Sequence, residues 1–234
     1  MSNFLETYTT KIKTWANGKF CTEDGVRELI DSMVYPLCAD LEFQVTSGQN
    51  LTLWGGTSGT FGGGIDWGDS ITTPFYTAKP NHVYSTAGTY RVKVYGSFPT
   101  FVNNANDLIS MASLRKIITL RNLTDLNSGF MACTGLTTLE SGFFDDCPLV
   151  TNLNSCFRDC TSLVLRGDEF TLSTLSGRSI NFRYCFSAAS TSNQVAGTAP
   201  ELWNAGLASG STTTQCFYNR TLLSNYADIP AGWK

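Results

Sequence analysis

The fold of this chain is decided by residues 123–163, which read LTDLNSGFMACTGLTTLESGFFDDCPLVTNLNSCFRDCTSL. Within this stretch a set of six positions recurs 27 residues further along the chain. The first copy contains Leu123, Leu126, Ser128, Phe130, Cys133 and Leu136, and the second contains Val150, Leu153, Ser155, Phe157, Cys160 and Leu163. Fixed-period self-similarity is typical of stacked supersecondary units that bury a core only against their neighbours. Because such stacks mostly present a surface, the pattern favours a binding function over a catalytic one.

A third, shorter copy lies between the other two and carries one extra residue near Gly142 and Phe143. It contains Leu136, Leu139, Ser141, Phe144, Cys147 and Val150. Cys133, Cys147 and Cys160 therefore lie at the same position of the three copies, where a small buried apolar side chain allows successive repeats to pack closely. We predict that these cysteines are free thiols in a core, with disulfides or a metal site as the alternative.

Composition limits the class of protein and its partners. The 234 residues allow one large or two modest domains, and 15% charged residues with 21 glycines favour β-rich structure. A net charge of −3 argues against nucleic-acid binding, which requires clustered Lys and Arg. We expect no membrane insertion, because no run approaches the ~20 apolar residues needed to cross a bilayer. The first residues, MSNFLETY, lack the basic and apolar regions of a secretory signal.

Residues 1–40 are predicted to be helical. Thr22 can cap a helix that ends before Pro36. Its apolar residues follow the spacing of one helical stripe, and they are Val26, Leu29, Ile30, Met33 and Val34. Such a segment could be a cap packed on the next domain or a docking element for a larger assembly.

Residues 41–100 change to the alternation of apolar and polar residues that is typical of strands. Leu41, Phe43 and Val45 alternate with polar residues, and residues 47–50 predict a hairpin to the next strand. The stretch Tyr90–Val94 alternates in the same way. Several short strands separated by turn signals indicate a small β-sandwich.

Two motifs in this region resemble the PKD family, whose members are immunoglobulin-like sandwiches. The first is the sequence IDWGD at residues 65–69, and the second is HVYSTAGTYRVKV at residues 82–94. The residues that carry the resemblance are Asp66, Trp67, Gly68, Asp69, His82, Tyr84, Gly88 and Tyr90. Ser70 stands where the family has a further glycine. The resemblance implies a spacer or adhesion module, with a structural hydrogen bond at His82.

Residues 101–234 are similar to BspA-like leucine-rich repeats, which occur in bacterial surface proteins and bacteriophage proteins. The similarity rests on Phe130, Cys133, Phe144, Cys147, Phe157 and Cys160. The pairs Cys185-Phe186 and Cys216-Phe217 continue the series in degenerate form, whereas residues 166–179 repeat poorly. This similarity implies an irregular solenoid, in which Trp203 and Trp233 would seal the core.

Catalysis finds little support in the sequence. His82 is the sole histidine, so no Ser-His-Asp or Cys-His arrangement exists without it. The acidic pairs Asp145-Asp146 and Asp66/Asp69 have the residue types of a glycosidase or a calcium site, but Asp is also common in turns. We therefore predict no enzymatic activity, no cofactor and no metal.

The best candidate binding feature is the glycine-rich loop at residues 55–64, which is flanked by Trp54 and includes Phe61. Exposed aromatics on a glycine-rich loop can stack on sugars or anchor a protein interface. In the alternative, the loop is a long hairpin connection with both aromatic side chains turned inward.

Together these features predict a mainly β protein with a helical N-terminus, a PKD-like sandwich and a leucine-rich-repeat solenoid. Both modules belong to families that are displayed outside cells, yet the chain shows no secretory signal. A bacteriophage virion protein, made in the host cytoplasm, satisfies both conditions. The expected role is a tail, fibre or capsid-surface component that holds a host-surface glycan or protein. The expected partners are other virion proteins, through the N-terminal helices, and further copies of the chain. A bacterial surface adhesin and an intracellular interaction scaffold are the alternatives.

Overall fold

The computed structural model of the chain describes residues 37–53, 64–73, 80–96, 108–121, 123–193 and 196–234. These residues are mainly β, with antiparallel sheets and very little helix, which confirms the predicted class. The helices predicted within residues 1–36 lie outside the described residues.

The regular elements are short and lie mostly before residue 121. The strands are β1 (Leu37–Val45), β2 (Asn50–Thr52), β3 (Ile65–Asp66), β4 (Thr72–Thr73), β5 (Asn81–Val83), β6 (Gly88–Tyr95) and β7 (Leu114–Leu120). Among the described residues, the α-helix α1 (Leu108–Ser113) precedes β7. Later in the chain, 3-10 helices span Leu172–Leu175, Thr191–Asn193, Leu202–Asn204, Tyr226–Asp228 and Ala231–Trp233.

Strand β1 lies inside a five-stranded sheet with the order β4-β3-β6-β1-β7. It pairs antiparallel with β6 on one side and with β7 on the other, so that Leu41 lies opposite Val92 and Ile117. The apolar residues of the alternating pattern, such as Leu41 and Phe43, are fully buried. A second sheet consists of β2 and β5.

The boundaries of this sheet differ from those predicted. Strand β1 begins at Leu37, directly after Pro36, instead of at residue 41. The alternation rule misses this start because Cys38, Ala39 and Asp40 are all buried in succession. Asp40 can be buried since Arg91 donates to its two carboxylate oxygens at 2.8 and 2.6 Å. The sheet also extends beyond the predicted limit at residue 100, because β7 pairs with β1.

The predicted hairpin across residues 47–50 was wrong. Strand β2 does not pair with β1, which already has a partner on each edge; it pairs with β5, where Leu51 lies opposite His82. The turn instead carries the chain from one sheet to the other. Gly48 fixes it with a φ of 77° and an N–H that donates to the carbonyl of Tyr84 at 2.8 Å.

Beyond β7, four stretches of chain run parallel to one another, and we refer to them as the parallel segments. They are residues 125–133, 152–160, 181–189 and 212–220, and bridges join Asp125 to Asn152, Asn152 to Asn181, and Asn181 to Thr212. In each of the first three segments, four backbone N–H groups, at every second residue, donate hydrogen bonds to carbonyls of the following segment. Between the second and third, the donors are Leu153, Ser155, Phe157 and Asp159, at 2.8 to 3.0 Å. These bonds satisfy the backbone without long strands.

One column of aromatic rings runs through the parallel segments. Phe130, Phe157, Phe186 and Phe217 follow one another with centroid separations of 5.5, 5.6 and 5.7 Å and interplanar angles of 11°, 5° and 8°. Trp233 stacks on Phe217 at 6.4 Å, and its carbonyl accepts the N–H of Phe217. The predicted sealing residue Trp233 therefore lies at the end of this column, with 7% of its surface exposed.

A second group of rings meets the first column edge-on. Phe144 stacks on Phe170 at 4.2 Å, and Phe144 contacts Phe157 at an interplanar angle of 78°. Trp203 meets Phe217 in the same way, at 83°. Phe170 belongs to the stretch 166–179 that repeats poorly in sequence, yet its ring continues the packing started by Phe144. The middle copy of the sequence pattern thus builds the second group of rings.

The ring column leads to a test of what stabilises residues 123–234. Phe157 is fully buried and stacks on a ring on each side, so Phe157→Ala removes two stacking contacts and leaves a cavity. We expect a loss of about 3–5 kcal/mol in the free energy of unfolding, measured by denaturant titration. As a control, Leu149→Ala changes a side chain that is 59% exposed and should shift stability by less than about 0.5 kcal/mol. Equal effects of the two substitutions would contradict this packing.

Candidate functional site

The residues of the Asp66–Asp69 motif form a turn between β3 and β4. The carboxylate of Asp66 accepts the N–H of Gly68 at 2.9 Å, and that of Asp69 accepts the N–H of Ile71 at 3.1 Å. Gly68 has a φ of 82°, and a Cβ atom there would lie 2.7 Å from the carbonyl oxygen of Arg91. Ser70 adopts the left-handed conformation as well, with a φ of 75°, although it is not glycine.

His82 joins this turn to the second sheet. Its Nε2 lies 2.7 Å from the second carboxylate oxygen of Asp69. The imidazole stacks on Trp67 at 5.2 Å and meets the edge of Tyr84 at 4.6 Å. The structure thus brings together residues from both motifs, with His82 in contact with Asp69, Trp67 and Tyr84.

The tyrosines complete this cluster. Tyr84 is fully buried and donates its hydroxyl proton to the carbonyl of Trp67 at 2.8 Å. Burial, with a further contribution from the charge of Asp69, raises the pKa of Tyr84 above its ordinary value. Tyr90 packs on Tyr84 at 4.3 Å, and Gly88 leaves room for the Tyr90 ring, since a Cβ there would lie 3.3 Å from it. The two carboxylates that resembled a calcium site, those of Asp66 and Asp69, each accept a backbone N–H within the turn between β3 and β4.

The cysteines of the repeat are buried among apolar side chains. Cys133, Cys147 and Cys160 are at most 1% exposed, and each is a free thiol. Cys147 donates its S–H to the carbonyl of Leu120, and Cys160 donates to that of Phe130, both at 3.1 Å. Burial raises the pKa of Cys147 and of Cys160 to about 12. These sulfurs serve packing and short hydrogen bonds to the preceding part of the stack.

Arg220 occupies the cysteine position of the fourth parallel segment, which sequence reasoning did not single out. It lies three residues after Phe217, as Cys160 lies three residues after Phe157. Only 1% of Arg220 is exposed, and its Nε donates to the carbonyl of Phe186 at 2.7 Å. Burial lowers the pKa of this guanidinium. The Phe-x-x-Arg-Thr-x-Leu spacing at residues 217–223 is the signal that could have revealed it.

The two residues predicted for ligand binding, Trp54 and Phe61, lie outside the described residues. The structure shows a different group on the parallel segments, which we call the Arg/Tyr face; it consists of the exposed Arg183 and Tyr218 and the half-buried Arg158 and Tyr184. The guanidinium carbon of Arg183 lies 4.9 Å from the centre of the Tyr184 ring, and that of Arg158 lies 5.6 Å from it. Tyr218 is 43% exposed. These residues follow no repeat motif, which is why the sequence did not indicate them.

Comparison of the chain with protein-family models, with curated proteins and with solved structures gave no match. Within the described ranges no helix is long and apolar enough to cross a bilayer, and no three His, Cys, Asp or Glu side chains are grouped as metal ligands would be. The site must therefore be interpreted from its own geometry.

The raised pKa values predict how the thiols react. At pH 8.5 an ordinary thiol is about half ionised, whereas a thiol of pKa about 12 carries about a thousandth of that thiolate. We expect Cys147 and Cys160 to react with iodoacetamide in the native protein about a thousandfold more slowly than in guanidinium chloride. Peptide mass spectrometry after timed alkylation measures each site. Labelling of either cysteine at the unfolded rate would contradict its burial.

Proposed function

We propose that this chain is a structural protein of a bacteriophage virion that displays β-modules for attachment to the host surface. In this proposal residues 41–100 form the core of a PKD-like sandwich, and residues 101–234 form a BspA-like leucine-rich-repeat solenoid. The protein would lie on a tail, a fibre or the capsid surface. It would act by binding and not by catalysis.

The observation that carries this proposal is the hydrogen-bonded order of the four parallel segments. Their backbone bonds hold side chains in rows at fixed spacing, as a rigid recognition surface requires. The groups that could have done chemistry have structural partners instead: His82 contacts Asp69, and the thiol of Cys160 bonds to a backbone carbonyl. A rigid surface with its reactive groups engaged in packing favours display and adhesion.

Contacts between β7 and the stretch of chain that connects the first two parallel segments support projection of both parts as one body. Cys147 bonds to the carbonyl of Leu120, the last residue of β7, and Lys116 forms an ion pair with Glu140 at 2.6 Å. Buried apolar residues of the sheets and of the parallel segments belong to one continuous core. A stiff connection of this kind suits an appendage that must hold its binding surface away from the particle.

The thiols support production in a reducing compartment. Cys156, Cys185 and Cys216 are buried at corresponding positions of three successive segments and remain free. Host cytoplasm keeps such thiols reduced, and a phage protein leaves that compartment only at lysis. The proposal further assigns the N-terminal helices to contacts with other virion proteins, and it expects a symmetric homo-oligomer.

Mass spectrometry of purified virions tests the proposal. Particles of the phage whose genome encodes the chain should contain it at a fixed ratio to the major capsid protein, and that ratio should persist through a density gradient and a high-salt wash. An abundant host cytosolic protein, quantified in the same samples, serves as the control for contamination. Loss of the chain in parallel with that host protein would overturn the proposal and favour an intracellular scaffold or a cell-surface protein.

A further inference from the structure

We propose that the Arg/Tyr face binds a polysaccharide whose sugar rings carry carboxylate groups. This inference rests on the proposed function, because it names the class of host-surface ligand that the displayed module would hold. Four observations carry it: the charge of the face, the backbone conformation of Tyr184, the row of side chains beside it, and the combination of charged and aromatic groups.

The first observation is an uncompensated positive charge on an exposed surface. Arg158 forms an ion pair with Asp159, whose Oδ2 lies 3.4 Å from its Nε and whose Oδ1 accepts the N–H of Ala189 at 2.6 Å. Arg183 is exposed, and among the described residues no acidic group forms an ion pair with it. In a chain of net charge −3, an exposed guanidinium without an ion-pair partner, in contact with the same ring as a second guanidinium, is a local site for an anion.

The second observation is the backbone of Tyr184, which has a φ of 55°. Ser128 and Ser155 occupy the corresponding positions of the first two segments, also with positive φ. A bulky aromatic residue in this conformation is unusual and unfavourable, and the side chain of Tyr184 is not part of the buried core. The half-buried ring instead contacts two guanidiniums, those of Arg158 and Arg183. The fold imposes this conformation at the same position of all four segments, so the informative feature is that an aromatic residue occupies it with its ring outside the core.

The third observation is a row of residues across three adjacent segments. The backbone N–H of Asp159 donates to the carbonyl of Ser187, and that of Ala188 donates to the carbonyl of Tyr218. These bonds place Arg158, Ser187 and Tyr218 side by side in successive segments. Ser187 is small and buried, and its hydroxyl donates to the carbonyl of Tyr184. The row therefore has a charged residue at one end and an exposed aromatic ring at the other, and the small side chain between them leaves a depression.

The fourth observation is that this arrangement matches the chemistry of an acidic sugar. The planar fork of a guanidinium donates two hydrogen bonds to a carboxylate, and an exposed tyrosine ring stacks on the apolar face of a pyranose. A uronic acid carries its carboxylate on the pyranose ring, so one sugar can use both groups at once. A polyol phosphate offers the negative charge without a ring to stack, and a neutral glucan offers the ring without the charge.

Binding of oligogalacturonate to the full-length protein, measured by isothermal titration calorimetry at low salt, tests this inference. Neutral dextran of equal length is the comparison ligand. We expect binding to oligogalacturonate only, and weaker binding at high salt because screening reduces charge attraction. Arg183→Gln should lower the affinity about tenfold, since it removes a charge-assisted bidentate contact. Arg166→Gln is the matched control: it removes an equal charge from an exposed arginine that pairs with Asp168 at 2.9 Å, and should change the affinity less than about twofold.

Tyr184→Asn separates a binding role from a structural one. Asn tolerates positive φ, as Asn219 does in this chain at 59°, so the variant should unfold at the same or higher denaturant concentration than the parent. It should nevertheless bind oligogalacturonate about tenfold more weakly, because the ring that orders both guanidiniums is gone. Full affinity in this variant would overturn the inference.

The outcomes also distinguish this inference from the proposed function. Absence of binding to oligogalacturonate, or equal binding to dextran, overturns the ligand class while leaving virion membership intact. Selective binding by a protein that is absent from purified virions overturns the proposed function while leaving the ligand class intact.

Discussion

The backbone hydrogen bonds between the parallel segments are the interaction on which the rest of the structure depends. Alternate amides of one segment donate to the next, in the same register at three successive interfaces. Ser128, Ser155, Tyr184 and Gln215 take positive φ values of 53–58° at the same place in every segment. A left-handed residue costs roughly 1–2 kcal/mol, so the conformation persists because bonds and packing on both sides require it.

The fixed spacing of the segments determines which side chains the core accepts. Flat rings repeat in register and stack, and Trp233 closes their column. A thiol fits at the Cys133 and Cys160 positions because it is small and can donate to a nearby carbonyl. Arg220 is an exception, because a large charged side chain occupies the equivalent position of the fourth segment. Its Nε makes the equivalent bond to a carbonyl, although burial opposes its charge.

The sequence predicted the features that repeat or alternate and missed those that depend on tertiary partners. Residue spacing alone predicts that Phe130 and Phe157 occupy equivalent positions, and it predicts that the alternating apolar side chains of β1 are buried. The early start of β1 could not be predicted, because burial of Asp40 depends on Arg91, which is distant in sequence. The pairing of β2 with β5 depends on β7 occupying the free edge of β1. The Arg/Tyr face joins side chains from three segments, and no linear motif records such a group.

The central claim is that the parallel segments form one cooperative hydrogen-bonded unit, and native-state hydrogen exchange resolved to single amides tests it most directly. We expect the amides of Ser128, Phe157 and Phe186, from three different segments, to exchange with the same free energy of opening, equal to that of global unfolding. The amide of Arg183, which donates to the side-chain oxygen of Asn181 in a solvent-exposed hydrogen bond, should exchange with a much smaller free energy of opening. Separate and low opening free energies for the three segments would contradict the account.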